Sequence, residues 1–245
     1  MKKKVTIKQN ILSWGTWVIA GFTLAACTDH GAFCIKGEGD VTSRTLQLQP
    51  FQEIDVNGDF EVYVTQGSPQ KIEVKGEPNI LDELNTQVQN GKWKIKFDDC
   101  IRRSKTVKVY LTMPEVNSLY LNGSGQISGQ NKLTATDFSV VVNGSGKIEA
   151  DLAATKVITQ IMGSGEIELA GTAKQQTIHI AGSGKVKSYD LTAEDVSVQV
   201  AGSGKTQVMA SKTLDVDLAG SGTVYYRGNP TVNTRISGSG KVIHE

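Results

Sequence analysis

The segment Val140-Val-Val-Asn-Gly-Ser-Gly-Lys-Ile148 contains a tripeptide, Gly-Ser-Gly, that occurs seven times in this chain of 245 residues. The copies begin at Gly123, Gly144, Gly163, Gly182, Gly202, Gly220 and Gly238. Their spacing varies only between 18 residues (Gly202 to Gly220) and 21 residues (Gly123 to Gly144). Self-similarity at a period near 20 residues is typical of a solenoid, in which each repeat forms one turn and stacks on the turn before it.

Apolar and polar residues alternate on both sides of each tripeptide. The residues two positions before its first glycine are all apolar: Leu121, Val142, Ile161, Ile180, Val200, Leu218 and Ile236. The residues four positions after that glycine are β-branched: Ile127, Ile148, Ile167, Val186, Thr206, Val224 and Val242. A period of two predicts β-strands with one face buried, and β-branched residues suit such a surface.

The alternation continues through Gly-Ser-Gly, so both glycines fall on the inward side and the serine falls on the outward side. This predicts a corner of the coil, where a Cβ atom has no room or the backbone needs a positive φ. The serines would form a ladder along that corner: Ser124, Ser145, Ser164, Ser183, Ser203, Ser221 and Ser239.

A second inward position lies eleven residues before the tripeptide. It holds Leu133, Leu152, Leu191 and Met209, and is interrupted by Gly171 and Arg227. Because about 19 residues accommodate two or three short strands with turns, we predict an all-β fold: a right-handed parallel β-helix with coils of about 18–21 residues. Successive coils would be ~4.8 Å apart.

Residues 47–245 are predicted to form one β-helical domain with an irregular N-terminal part, 47–115, and a repeat part, 116–245. Residues 54–64 alternate around Gly58 much as the repeats do. Residues 77–84 could form a short helix, and Asn90-Gly91 predicts a hairpin turn. We interpret this part as an insertion or cap over one end of the solenoid, because open strand edges promote aggregation.

Residues 1–26 have the features of a bacterial lipoprotein signal peptide: three lysines after Met1, an apolar stretch, and Leu24-Ala-Ala-Cys27. The sequence predicts lipidation (palmitate-type acylation) of Cys27 and a tether over residues 27–46. It also predicts attachment to the outer membrane, because the residue after the cysteine is Thr28 and not the Asp that would favour retention at the inner membrane. Which face of that membrane is occupied stays open. An ordinary signal peptide, or a short membrane helix that happens to contain a cysteine, is the alternative.

Two further cysteines, Cys34 and Cys100, form an even pair in an oxidising compartment. A disulfide between them is the favoured prediction, and two unpaired buried thiols are the alternative.

The chain resembles the family of putative auto-transporter adhesins with a head GIN domain, which are exported β-helical proteins of Gram-negative bacteria. The resemblance rests on three features: the lipid-attachment motif Leu24-Ala-Ala-Cys27, the opening Phe51-Gln-Glu-Ile-Asp-Val-Asn-Gly-Asp-Phe-Glu-Val, and the repeated Asn/Ala-Gly-Ser-Gly-Lys-Ile/Val strands. It covers about residues 47–243. The family implies an adhesin-type function and supplies no catalytic residues to transfer.

Composition disfavours several other functions. The formal net charge is +1, from 26 basic and 25 acidic residues. Residues 1–26 hold four lysines and no acids, so residues 27–245 carry 22 basic against 25 acidic residues, a net charge of −3. We therefore expect no nucleic-acid partner. No Cys or His pair has metal-ligand spacing, and we expect no metal and no cofactor.

Two motifs suggest chemistry but have simpler explanations. Gly202-Ser-Gly-Lys-Thr206 resembles the end of a phosphate-binding loop, but a strand is predicted to follow it where that motif needs a helix. His179 could serve as a base, but its predicted neighbours on adjacent coils, Gln160 and Gln199, are not acids.

The predicted function is a non-enzymatic, lipid-anchored binding module of the cell envelope that is adhesin-like and has an unknown protein or glycan partner. Tyr225, Tyr226, Arg227 and Ile243 form a candidate contact patch. One alternative is a polysaccharide-active enzyme that uses outer-face carboxylates such as Glu149 and Glu168, which would stack on neighbouring coils. The other is a purely structural envelope protein.

Overall fold

The computed structural model describes residues 34–245, and most of this part is β-strand. The first half contains β1 (Ile35–Lys36), β2 (Thr42–Leu46), β3 (Glu53–Gly58), β4 (Glu61–Gln66), β5 (Lys71–Gly76), α1 (Pro78–Asp82), β6 (Val88–Gln89), β7 (Lys92–Ile95), β8 (Ile101–Arg103) and β9 (Lys108–Met113). The second half contains β10 (Ser118–Gly123), β11 (Gln126–Gly129), β12 (Leu133–Gly144), β13 (Lys147–Gly163), β14 (Glu166–Gly182), β15 (Lys185–Gly202), β16 (Lys205–Gly220), β17 (Thr223–Arg227), β18 (Thr231–Gly238) and β19 (Lys241–His244). The predicted signal peptide and the lipid site at Cys27 lie outside the described residues.

Each of β13 to β16 forms one turn of a β-solenoid. Each begins directly after one Gly-Ser-Gly and ends on the first glycine of the next, over 16 to 18 residues. Neighbouring turns pair in parallel, and the first glycines of all seven tripeptides occupy one column in register, which Gly58 extends by one further rung. The predicted parallel β-solenoid is confirmed.

The inward positions of the repeats form a continuous core. Leu121, Val142, Ile161 and Leu218 are fully buried, and so are Ile127, Ile148 and Ile167 on the other side of the corner. Ile236 in the last described turn is 42% exposed, because no further turn in the described chain covers it. The alternation in the sequence therefore identified the buried face correctly.

The predicted corner at Gly-Ser-Gly is confirmed. Both proposed reasons for its glycines apply, the positive φ and the lack of room for a Cβ atom. The first glycine of every tripeptide has a positive φ, between 123° and 131°. The second glycine has no room for a side chain: a Cβ atom at Gly146 would lie 2.5 Å from Cδ2 of Leu121 in the turn below. The serines between them are exposed. Among the described serine side chains of this column, Ser221 and Ser239 approach within hydrogen-bond distance, 3.0 Å between their Oγ atoms.

Met209 is the one predicted member of the second inward column that is placed differently. Leu133, Leu152 and Leu191 are fully buried, whereas Met209 is half-buried between the buried Val208 and Ala210. The turn that ends at Gly220 is two residues shorter than the one before it, so the pairing of β15 with β16 shifts after Ser188 and moves Met209 out of the column.

The N-terminal turns do not stack in chain order. β3 and β4 form a turn that pairs in parallel with β10 and β11 on one side. On its other side the same turn pairs in parallel with β7 and β9, which come later in the chain. The outermost N-terminal turn is therefore built from residues 92–113, and the chain then crosses back to continue the repeats from β10.

Antiparallel strands cover this outer turn. β5 pairs with β9, β2 pairs with β5, and the hairpin of β6 and β7 turns at Asn90-Gly91. The predicted cap and hairpin are therefore present, and α1 lies within the predicted helical segment. Residues 42–46, which we expected in the tether, form β2. The short polar strand Thr42–Leu46 shows no apolar alternation, and its position depends on pairing with distant residues.

The disulfide between Cys34 and Cys100 is confirmed. Their Cα atoms are 4.7 Å apart, and the bond closes a loop with a sequence separation of 66 residues. Beside it, β1 pairs in parallel with β8, and the backbone N–H of Ile35 donates to the carbonyl oxygen of Cys100 at 2.8 Å. The disulfide therefore fixes the start of the described chain to the loop between β7 and β8.

Candidate binding surface

We define the post-corner face as the outward side chains of the strand segments that follow each corner. They stand in two columns, three and five residues after the first glycine. The first column contains Gln126, Lys147, Glu166, Lys185, Lys205, Thr223 and Lys241. The second contains Ser128, Glu149, Glu168, Lys187, Gln207, Tyr225 and Ile243. Parallel pairing in register places neighbours in each column on consecutive turns, ~4.8 Å apart.

The middle of this face is an ion-pair cluster. Lys147 contacts Glu149, and its Nζ lies 3.5 Å from Glu166 and 3.4 Å from Glu168. Lys187 Nζ lies 2.8 Å from Glu166 and 3.8 Å from Glu168. The hydrogen bond that Lys187 donates to Glu166 lowers the pKa of Glu166, and the one that Lys147 donates to Glu149 raises the pKa of Lys147. The two lysines and three glutamates largely compensate one another within the surface and leave a net charge of −1.

This cluster bears on the alternative of a polysaccharide-active enzyme. Glu149 and Glu168 are register partners on neighbouring turns, as that hypothesis requires. Both, however, contact the same ammonium group of Lys147. A glycosidase needs one carboxylic acid held protonated, usually by apolar surroundings, and the surroundings of this pair are cationic.

The C-terminal part of the post-corner face is different, because neither column contains an acidic residue beyond Glu166 and Glu168, which are the register partners of Lys185 and Lys187. Lys185 pairs directly with Lys205, and Thr223 pairs with Lys241. All three lysines are exposed, and within residues 34–245 none of them forms an ion pair. The ammonium group of Lys205 lies 4.5 Å from the ring centre of Tyr225.

The four residues of the predicted contact patch fall into separate groups. Tyr225 and Ile243 are register partners on the post-corner face. Tyr226 points inward, packs against the core and stacks on His244 with ring centres 4.7 Å apart. Arg227 lies over the ring of Tyr189 at 4.1 Å, beyond the end of that face.

Arg227 belongs to a small polar cluster with Tyr189 and Glu245. The hydroxyl of Tyr189 donates to Oε2 of Glu245 at 2.8 Å, and Arg227 lies 3.8 Å from the same oxygen. Burial, and then the hydrogen bond to Glu245, raise the pKa of Tyr189 to about 12. These contacts hold the chain end against β15 and leave Tyr225 and Ile243 as the outward members of the predicted patch.

The outward residues ahead of the corner form a second surface. His179 pairs with Gln160 and Gln199 on its two neighbouring turns, as predicted, and no acid faces it from either. Closer to the corner, Asn143 donates to Asn122 at 2.7 Å, and Asn122 donates to Asp55 at 2.7 Å. These amides therefore form a hydrogen-bonded row that runs along the stack and ends on the carboxylate of Asp55.

Two features were missed from the sequence. Tyr63 and Tyr110 stack with ring centres 4.9 Å apart at the N-terminal end of the post-corner face, because β4 pairs with β9. A polar cleft of about 860 Å³ is lined by side chains from β3, β7 and the segments around β6: Glu53, Asn85, Gln87, Gln89, Asn90, Lys92, Lys94, Lys96 and Asp98. The alternating Lys92-Trp-Lys-Ile-Lys96 was the available signal for one side of this cleft.

The described residues give little support for a metal site or for a phosphate-binding loop. Residues 34–245 contain no group of three His, Cys, Asp or Glu side chains that could hold a metal ion. The strand β16 begins immediately after Gly204, so the segment resembling a phosphate-binding loop has no helix behind it, as expected. No helix of the described residues is long and apolar enough to cross a bilayer.

Comparisons with known proteins agree with this architecture. Residues 50–230 match the family described as "Putative auto-transporter adhesin, head GIN domain". A putative adhesin from Bacteroides fragilis NCTC 9343 is 25% identical, with a TM-score of 0.82, over 86% of this chain and 100% of that chain. A putative lipid binding protein from Parabacteroides distasonis ATCC 8503 is 24% identical, with a TM-score of 0.72, over 86% of this chain and 99% of that one.

A third solved structure, a putative adhesin from Parabacteroides merdae ATCC 43184, shares the fold at 18% identity, with a TM-score of 0.72, over 86% of this chain and 98% of that one. Comparison with curated proteins gives no match. Because the family match spans residues 50–230 and the solved structures share the solenoid over almost their whole lengths, this chain belongs to the family of putative auto-transporter adhesins with a head GIN domain.

Proposed function

We propose that the protein is a non-enzymatic binding module of the cell envelope, held at the outer membrane by lipid on Cys27, that presents the side of its solenoid to a partner. The observation that carries this proposal is the post-corner face, on which stacking in register holds outward side chains at a fixed pitch over consecutive turns. A rigid array of this kind binds without reorganising, which lowers the entropic cost of association.

Membership of an adhesin-type family supports both the binding role and a location outside the cytoplasm. The Cys34–Cys100 disulfide supports the same location, because such bonds persist in oxidising compartments. One structural relative is described as a putative lipid binding protein, so a lipid is a further partner class to include in binding tests.

The anchor is tested with the full-length protein and its Cys27→Ala variant. We expect the parent protein to fractionate with outer membranes and to incorporate radiolabelled palmitate, and the variant to lose the label. Cys34→Ser serves as the matched control, because it removes a different cysteine and should leave labelling intact. A Cys27→Ala protein that takes up as much palmitate as the parent would contradict the anchor.

The binding role is tested with full-length protein in detergent, immobilised and exposed to fractionated envelope polysaccharides and proteins. We expect saturable capture of one fraction. Protease accessibility on whole cells then tells which side of the membrane the solenoid occupies, and so which partners it can reach. Export without any saturable capture would favour a purely structural protein.

The enzyme alternative is kept because Glu149 and Glu168 are adjacent. The measurement is the release of new reducing ends from a polysaccharide panel by the parent and by a Glu149→Gln/Glu168→Gln variant. We expect no release from either protein and unchanged capture by the variant. Turnover that the parent shows and the double variant lacks would establish the enzyme instead.

A further inference from the structure

The lysines of the post-corner face fall into two groups that differ in their neighbours. Lys147 and Lys187 each have a carboxylate within ion-pair distance. Lys185, Lys205 and Lys241 have none within residues 34–245, and they follow one another in a single column interrupted only by Thr223. We call these three residues the lysine column.

The lysine column is electrostatically unfavourable in isolation. Like charges directly opposite each other on neighbouring strands are destabilising, and Lys185 and Lys205 are such a pair. On its other side Lys185 is opposite Glu166, and Glu166 is in turn opposite Lys147, so alternation of charge was available within this architecture and stops at Lys205. A surface that keeps such a column gains most when an anion lies along it.

The neighbours of the lysine column suit a sugar. Tyr225 lies beside it, is half-buried, and has the ammonium group of Lys205 over its ring. Gln207 and Thr223 supply an amide and a hydroxyl on the same turns. Aromatic faces pack against the apolar faces of sugar rings, and amide and hydroxyl groups exchange hydrogen bonds with sugar hydroxyls.

From these contacts we propose that the lysine column binds an extended anionic polysaccharide, with successive acidic sugars lying along the stack. This rests on the proposed binding function and specifies its ligand class. The column extends over three turns, ~14 Å at ~4.8 Å per turn. That pitch is close to the length of one sugar in an extended chain, so the acidic groups of the first, second and fourth sugars would meet Lys185, Lys205 and Lys241, and the third sugar would lie at Thr223.

The charge distribution favours a single polymer chain over an anionic membrane surface. A bilayer would lie across the whole face and bring its headgroups against Glu149, Glu166 and Glu168. Residues 27–245 also carry a net charge of −3, which disfavours broad contact with any anionic surface. A linear chain that runs from Lys185 towards Lys241 extends away from the glutamates, the first of which, Glu166, lies one turn beyond Lys185.

The experiment uses full-length protein in neutral detergent micelles and fluorescent polygalacturonate as the probe, with its fully methyl-esterified, neutral form for comparison. We expect saturable binding of the acidic polymer that weakens as salt rises, and at least tenfold weaker binding of the neutral form. The Lys185→Gln/Lys205→Gln/Lys241→Gln variant should lose affinity about tenfold or more, and the corresponding Arg triple variant should retain it.

Two matched controls make the result specific. Lys105→Gln/Lys156→Gln/Lys174→Gln removes the same charge away from this face and should change the affinity less than twofold. Tyr225→Ala should weaken binding and Tyr225→Phe should not, because the ring and not the hydroxyl is proposed to pack on the sugar. Circular dichroism of every variant checks that the solenoid is folded.

Equal binding of the acidic and neutral polymers, or equal losses in the two Lys→Gln triple variants, would overturn the proposal. So would displacement of the polymer by phosphatidylglycerol doped into the micelles, which would assign the lysine column to a membrane. If envelope material is still captured by the Lys185→Gln/Lys205→Gln/Lys241→Gln variant, this inference fails and the proposed function stands. If no envelope fraction is captured by the parent protein, the proposed function itself fails.

Discussion

A Cβ atom added at Gly144 would lie 2.5 Å from the carbonyl oxygen of Gly123, the corresponding glycine one turn earlier. That oxygen accepts a hydrogen bond from the backbone N–H of Ser145 at 3.0 Å. The corner therefore brings two backbones so close that the hydrogen bond between turns and a side chain cannot coexist. The first glycine of the tripeptide is required both for its conformation and for this contact.

The first prediction concerns this corner. Gly163→Ala should lower the free energy of unfolding by about 2–4 kcal/mol, because its φ of 126° is strained for alanine and its Cβ would meet the backbone oxygen of Gly144 at 2.5 Å. The measurement is guanidinium unfolding followed by far-ultraviolet circular dichroism. The adjacent Ser164→Ala is the control and should change stability by less than about 0.5 kcal/mol, since Ser164 is exposed. Equal effects of the two substitutions would contradict the account of the corner.

The second prediction concerns a hydroxyl inside the core. Thr206 is fully buried between Val186 and Val224, and its Oγ1 atom has no hydrogen-bond partner among the described residues. Thr206→Val should raise the free energy of unfolding by about 1 kcal/mol, because the buried hydroxyl loses its water on folding. Thr223→Val on the outward side is the control and should have little effect. A fall in stability for Thr206→Val would mean that the hydroxyl is hydrogen-bonded, for example to an internal water.

The third prediction concerns the disulfide. Replacing Cys34 and Cys100 together by serine should lower the free energy of unfolding by up to about 4 kcal/mol, because the bond closes a loop with a sequence separation of 66 residues and restricts the unfolded chain. Thermal unfolding with and without reductant measures this. Reductant should destabilise the parent protein and leave the double variant unchanged. A reductant effect of the same size on both proteins would rule out this bond as its cause.

The fourth prediction concerns pH and the ion-pair cluster. The hydrogen bond from Lys187 lowers the pKa of Glu166 below its ordinary value of 4.5 in the folded protein. A carboxyl whose pKa is lowered on folding contributes stability above its unfolded pKa, and that contribution is lost as the pH falls through the folded pKa. Glu166→Gln should therefore be less stable than the parent protein at pH 7, by about 1 kcal/mol or less, and the two should converge as the pH falls below 4.5 and through the lowered folded pKa of Glu166.

Urea unfolding between pH 7 and pH 3 tests this convergence. Glu115→Gln is the matched control, because Glu115 is exposed and forms no ion pair within residues 34–245. Its stability difference from the parent should be small across the whole range. A Glu166→Gln deficit that stays constant down to pH 3 would show that the cluster acts through packing and not through charge.

Local patterns were sufficient for much of the fold. The alternation around Val142 and Ile148 predicts which side chains are buried, because a strand places successive residues on opposite faces whatever its partner is. Asn90-Gly91 likewise predicts its hairpin, since the turn conformation depends on those two residues alone. The prediction for Met209 was wrong, because its position depends on the register between two turns of unequal length.

Less of the candidate binding surface could be predicted from the sequence. Tyr225 and Ile243 were singled out from the sequence, and the structure places them side by side on one face. The lysine column was visible as a repeat position but could not be distinguished from the paired lysines. Whether a lysine has a carboxylate nearby depends on the turns above and below it and on the reach of both side chains, which spacing along the chain does not describe.

The amino-acid sequence by itself determined the strands, their buried faces, the glycine corners and the parallel stacking of the repeats, because these follow from interactions that recur every 18 to 21 residues. Only the tertiary structure decided that residues 92–113 form the outermost N-terminal turn and that β2 joins the cap. The tertiary structure also decided which lysines of the post-corner face have a carboxylate within ion-pair distance. The order of turns and the pairing of charges depend on contacts between residues far apart in the chain, and a repeating local pattern is compatible with more than one such arrangement.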